Sequence, residues 1–191
     1  GHKFGSPKGV GALVVRSGVD LAPQLLGGGQ ERGLRSGTHN APGVVAMAAA
    51  AAATWESLDA EAERVGRLRD RLADGLKHAV PGAHESGVVE SGSSIDRTGK
   101  VAGSCHLCFE GIESEAVLVL LERDGVLASA ASSCSSGAQD PSHVLAAMGW
   151  PRDLAGGSLR LSLGHETTDA EVDAALTSVP VAVERLRRTG S

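Results

Sequence analysis

Lys3 lies in the opening stretch Gly1-His2-Lys3-Phe4-Gly5-Ser6-Pro7-Lys8-Gly9, between a histidine and a run of turn-forming residues. A lysine at a turn is commonly a solvated charge. Partly desolvated, or set beside another cation, the same amine becomes a nucleophile that condenses with a carbonyl. Cys134 is the second candidate, in Ser132-Ser133-Cys134-Ser135-Ser136-Gly137, with no bulky apolar neighbour to bury it. A thiol on such a small-residue loop suits a nucleophile or sulfur carrier better than a core cysteine. Arg160 sits between Leu159 and Leu161, so strand alternation points it away from both. Its planar fork either snorkels to solvent or grips a carboxylate. In Arg35-Ser36-Gly37-Thr38-His39-Asn40, a base, a glycine and a hydroxyl stand together as an anion contact.

Other motifs carry less. Cys105 and Cys108 have a CxxC spacing, but positions i and i+3 of a strand face opposite sides, so they share neither a metal nor a bridge. Gly27-Gly28-Gly29-Gln30 lacks the GK[ST] ending and the preceding strand of a phosphate loop. His143 and His165 fit helix-entry positions and need no further role. The net charge of −5 opposes a nucleic-acid footprint, and two Phe, two Trp and no Tyr leave few stacking platforms. No apolar run reaches the roughly 18 residues of a membrane span, and no leader pattern opens the chain. Three sparse cysteines fit a reducing compartment. A soluble, cytoplasmic protein is expected, with no nucleic-acid or membrane partner.

The elements that must position these residues follow from periodicity. Gly9–Arg16 reads as a short buried strand, and Ser17–Asn40 as a glycine-rich loop covering a site or a subunit interface. Pro42 to about Lys77 is rich in strong helix formers, with Leu68, Leu72 and Leu76 on one face; Pro81-Gly82 ends it. Ser86–Gly103 reads as a hairpin or loop and Ser104–Glu110 as a strand. Ile112–Asp124 is expected to be helical, stopping at Gly125, and Val126–Ser129 to be a short strand before the loop Ala130–Gly137. Asp140-Pro141 opens a helix that Gly149 stops, and Ser158–Gly164 alternates as a strand. Thr168-Asp169-Ala170-Glu171 is a capping box for a last helix, interrupted at Pro180 and ending near Arg188. Strands alternating with helices make an α/β or α+β layered fold.

In order and spacing, GHKFGSPKGVGALVVR, GGGQERGLRSGT, GVLASAASSCSSGAQDPSHVLAAMG and SLRLSLGHETTDAEVD resemble the class I cysteine desulfurases of the class V aminotransferase superfamily. The resemblance covers essentially the whole chain. It implies an α/β fold, the C-terminal part of a fold-type-I pyridoxal-phosphate enzyme. Residues 1–45 would be the end of the large domain, 46–80 a long linking helix and 81–191 the small C-terminal domain.

The resemblance also implies roles. Lys3 looks like the lysine that binds pyridoxal 5'-phosphate covalently and shuttles the substrate's Cα proton. Gly1 and His2 match the turn flanking the cofactor phosphate, and Thr38 a hydroxyl reaching the phosphate in the other subunit of a homodimer. Arg160 matches the arginine for the substrate carboxylate, and Cys134 the nucleophile that takes sulfur from L-cysteine, leaving L-alanine. The persulfide would pass to an iron–sulfur scaffold or a tRNA-thiolation protein. Ala131-Ser132-Ser133 departs from the family's Gly-Ser-Ala before the cysteine, so a slightly stiffer loop is expected. A chain opening on Gly1 is expected to begin inside a longer gene product, lacking the region that supplies most cofactor contacts. Alone it would hold cofactor poorly and show an apolar seam. The alternatives are a selenocysteine lyase, a class V aminotransferase without a loop thiol, and a truncated, non-catalytic interaction module.

Overall fold

The computed structural model describes residues 1–130 and 142–189. The chain divides into two compact units, residues 1–58 and 59–191, with the boundary inside one long helix.

In the first unit, a 3-10 turn at His2–Phe4 is closed by Gly5 in the left-handed region. A second turn covers Glu31–Gly33, and helix α1 begins at Ala41. The buried strand expected at Gly9–Arg16 does not form. The backbone there pairs with no described strand, and Leu13 and Val14 are 78% and 94% exposed. An apolar run is only half of a buried strand; the other half is a neighbour to take its amides and carbonyls. Val19, Leu26, Val45 and Trp55 are also exposed, so this unit carries a broad apolar surface.

The second unit is built on an antiparallel sheet. Helix α1 runs over Ala41–Ala79, followed by strand β1 (Ala83–Glu85) and a hairpin of β2 (Val89–Ser91) and β3 (Ser94–Asp96). Strand β4 (Ser104–Phe109) and helix α2 (Ser114–Arg123) come next. Short helices α3 (His143–Ala147) and α4 (Arg152–Gly156), strand β5 (Ser158–Ser162) and helix α5 (Asp169–Thr189) complete it. The sheet order is β1-β4-β5, with Glu85 opposite Leu107, His106 opposite Arg160 and Leu107 opposite Leu159.

One face of the sheet carries the main core. Cys105, Leu107, Phe109, Leu159 and Leu161 meet Leu72 and Leu76 of α1, Val117 and Leu121 of α2, and Val172, Val179 and Val183 of α5. Each such apolar side chain taken fully from water stabilises the fold by about 1.5–3 kcal/mol. The other face has a smaller cluster of Cys108, Leu145 and Ala155 under Trp150 and Leu154.

Two further expectations change, and a third lies partly outside the described residues. Val126–Ser129 forms no strand, only one antiparallel bridge from Ser129 to Arg160. Of the helix read from Asp140 to Gly149, the described part spans His143–Ala147, and Asp140 and Pro141 lie outside the described residues. Helix α5 runs through Pro180 without interruption. The proline removes one amide donor, but Val179, Ala182 and Val183 beside it are buried and hold the helix on the sheet. The capping box forms as read: Glu171 N donates to Thr168 Oγ1 at 3.3 Å and Thr168 N to Glu171 Oε2 at 2.7 Å.

Candidate functional site

In the first unit, the turn that bears Lys3 is fixed by its backbone. Gly1 N donates to Val10 O at 3.0 Å, while Phe4 N and Ser6 N donate to Gly1 O at 3.1 and 3.3 Å. Thr54 Oγ1 on α1 donates to Phe4 O at 3.3 Å. Gly1 must be glycine here: a Cβ would meet Ser6 Oγ at 2.6 Å and Val10 O at 3.2 Å. His2 and Lys3 are both exposed on this hydrogen-bonded turn.

Thr38 belongs to the same unit. Its segment is anchored where Ser36 N donates to Leu25 O at 3.0 Å and Gly37 N to Gln30 Oε1 at 3.0 Å. Thr38 is exposed, and His39 pairs with Glu31 at 3.2 Å. No described hydrogen bond joins Thr38 to Lys3. The exposed amine and imidazole lie on one turn and the exposed Thr38 hydroxyl on another; these are the kinds of group that could hold a phosphorylated aldehyde such as pyridoxal phosphate, each from its own segment.

The second unit places Arg160 at the middle of β5, exposed between buried Leu159 and Leu161, as alternation requires. Its backbone N donates to Ser129 O at 2.8 Å and its O accepts from Ser129 N at 3.0 Å. Among the described residues no carboxylate pairs with its guanidinium. Cys134 lies outside the described residues, five positions after Ser129. Ser129 is thereby tied to the arginine strand.

Cys105 and Cys108 fall on opposite faces of β4, both buried, so the CxxC is structural. Burial, with Glu85 nearby, pushes the Cys105 thiol up to about 12, and burial pushes Cys108 up to about 11. Neither is a thiolate at neutral pH.

Two features escaped sequence reading. Glu85 is a fully buried carboxylate, met by Arg97 Nη2 at 2.7 Å and Lys100 Nζ at 2.8 Å. Arg97 also pairs with Asp74. Burial works to raise the Glu85 carboxyl, but the hydrogen bonds and charges of Arg97 and Lys100 outweigh it and hold the group below its ordinary value. His106 is the other. Its Nδ1 lies 2.7 Å from Ser86 Oγ, and it stands opposite Arg160. Burial, then the charges of Lys100 and Arg160, lower its pKa to about 4, so the ring is neutral.

The chain is similar to several known proteins. Residues 1–175 match the family model described as aminotransferase class-V. The chain is 45% identical over 188 residues to an IscS-like cysteine desulfurase of Mycobacterium tuberculosis, covering 98% of this chain and 46% of that protein. It is 43% identical over 187 residues to a cysteine desulfurase of Gluconacetobacter diazotrophicus, covering 98% of this chain and 45% of the relative. Among solved structures, a NifS-like protein superposes with a TM-score of 0.79 at 35% identity, over 97% of this chain and 45% of the other. The chain thus spans less than half the length of the curated relatives it matches.

Proposed function

We propose, from the premise that this chain belongs to the class-V aminotransferase family, that the whole protein is a cysteine desulfurase to which this chain contributes the cofactor lysine, the carboxylate arginine and the sulfur-accepting thiol. The observation that carries the reading is the Ser129–Arg160 bridge. It holds Ser129 beside the arginine, and the five residues of chain from Ser129 to Cys134 span at most about 17 Å. A thiol tethered at that point stays within the neighbourhood of a substrate whose carboxylate Arg160 holds.

The roles follow from residue chemistry. Bound pyridoxal 5'-phosphate supplies an electron sink for the substrate's Cα. Lys3, with its amine on a fixed turn, holds that cofactor and moves the Cα proton. Gly1 and His2 flank the phosphate, and Thr38 donates its hydroxyl to the phosphate bound in the partner subunit of a homodimer. Arg160 orients L-cysteine by a bidentate grip on its carboxylate. The Cys134 thiolate attacks the substrate sulfur. An S–S bond forms, the Cβ–S bond breaks, and the carbon fragment gains a proton at Cβ and leaves as L-alanine. The persulfide then passes to an iron–sulfur scaffold or another sulfur acceptor in the cytoplasm. Residues 1–45 close the cofactor domain, 46–80 form the linking helix and 81–191 the small domain.

The test is alanine release from L-cysteine by the full-length gene product with pyridoxal phosphate. Alanine formation that Lys3→Ala abolishes and Cys134→Ser reduces is the expected result. Alanine release untouched by Cys134→Ser favours a lyase, and keto-acid production favours an aminotransferase.

A further inference from the structure

Ser86 and His106 form a side-chain pair, and His106 stands opposite Arg160 in the β4–β5 register. Ser86 follows β1, His106 is on β4 and Arg160 on β5. Ser86 N donates to His106 O at 3.1 Å, and Ser86 Oγ lies 2.7 Å from His106 Nδ1. Arg160 turns both its backbone N and O toward Ser129, away from β4. His106 and Arg160 are therefore a non-hydrogen-bonded cross-strand pair, in which Cα atoms approach to about 4.5 Å and side chains rise side by side. Both are on the sheet face opposite the main core, which Cys105, Leu107, Leu159 and Leu161 occupy.

We propose that His106, oriented by Ser86, is a positioning residue of the carboxylate site, giving an N–H donor to the amino-acid carboxylate that Arg160 grips. The inference rests on the reading of Arg160 given above. With the Ser86 hydroxyl donating to Nδ1, the ring proton sits on Nε2, the nitrogen left for a ligand. The imidazole is neutral in this setting, with Lys100 and Arg160 the charged groups that act on it. Neutrality matters: an imidazolium would repel the guanidinium, and a carboxylate at this position would occupy it. A neutral N–H adds a hydrogen bond to the anion without either cost.

The test combines kinetics and spectroscopy. In the full-length gene product, His106→Ala is expected to raise KM for L-cysteine about tenfold, as one hydrogen bond to a charged group is worth, with kcat nearly unchanged. His106→Asn, which keeps an N–H donor, should recover most of the loss. In the chain labelled with 15N-histidine, Nδ1 should read as the unprotonated acceptor at neutral pH, and Ser86→Ala should shift the tautomer. An unchanged KM in His106→Ala, with KM raised in Arg160→Ala, overturns the inference and leaves the desulfurase reading intact. An unchanged KM in Arg160→Ala overturns the reading itself. A protonated Nδ1, or a kcat loss that His106→Asn does not rescue, also overturns the inference.

Discussion

Cys105 and Cys108, three residues apart on β4, face opposite sides of the sheet and pack into two different apolar clusters. The relationship removes both from sulfur chemistry. Burial keeps their pKa values at about 12 and about 11, and neither side chain is open to solvent. In the native chain, iodoacetamide at neutral pH should leave both unmodified, while urea should expose both. Peptide masses before and after unfolding check this; rapid native labelling of either would contradict the sheet register.

The buried carboxylate makes a stability prediction. Removing Arg97 strands Glu85 without one of its two cations, and Arg97→Ala should cost about 3 kcal/mol in urea unfolding. The pH sign is also set. The Glu85 pKa is lower folded than unfolded, so its contribution is fully present above the ordinary glutamate range and is lost as pH falls through the folded value. Glu85→Gln should flatten that acid limb and lower stability at neutral pH.

His106 acts in a neighbouring window. Its pKa falls from an ordinary 6.5 to about 4, so between those values the unfolded chain binds a proton that the folded chain does not. Stability should therefore be level above pH 6.5 and decline as pH drops from 6.5 toward 4. His106→Asn should remove this portion of the decline in urea midpoints measured across the range. A decline of unchanged size would show that another group titrates there.

These two groups also mark where sequence reading stopped. Alternation along Ser158–Gly164, the strand reading of Ser104–Glu110 and the leucine spacing of α1 are local patterns, and strands form over Ser158–Ser162 and Ser104–Phe109 and a helix over Ala41–Ala79. Glu85 meets cations 12 and 15 residues away across a hairpin whose register no local pattern specifies. His106 carries no local signal, because its neighbours matter only once β4 is in register with β5. Gly9–Arg16 misled because an apolar run reports the need for neighbours, not their presence. Helix α4 is one turn long, and its signals were Pro151 before it and Asp153 within it. The roles of Lys3, Thr38 and Arg160 rest on motif order and the family resemblance rather than on residue type, whereas the tie from Ser129 to Arg160 is visible only in the fold.

The capping box offers a smaller, sharper check. Thr168 Oγ1 accepts from Glu171 N, and Thr168 N donates to the Glu171 carboxylate. Thr168→Ala should cost about 1 kcal/mol, and Thr168→Ser should retain most of it. Equal losses in both variants would place the effect in the lost methyl group instead.

The central claim is that Cys134 accepts sulfur from a substrate held through Lys3 and Arg160. The most direct measurement is the mass of the Cys134 peptide from the full-length gene product, after pyridoxal phosphate and L-cysteine under non-reducing conditions. The account predicts a gain of one sulfur atom at Cys134, abolished by Lys3→Ala. Alanine formed with no sulfur gained at Cys134 would contradict it.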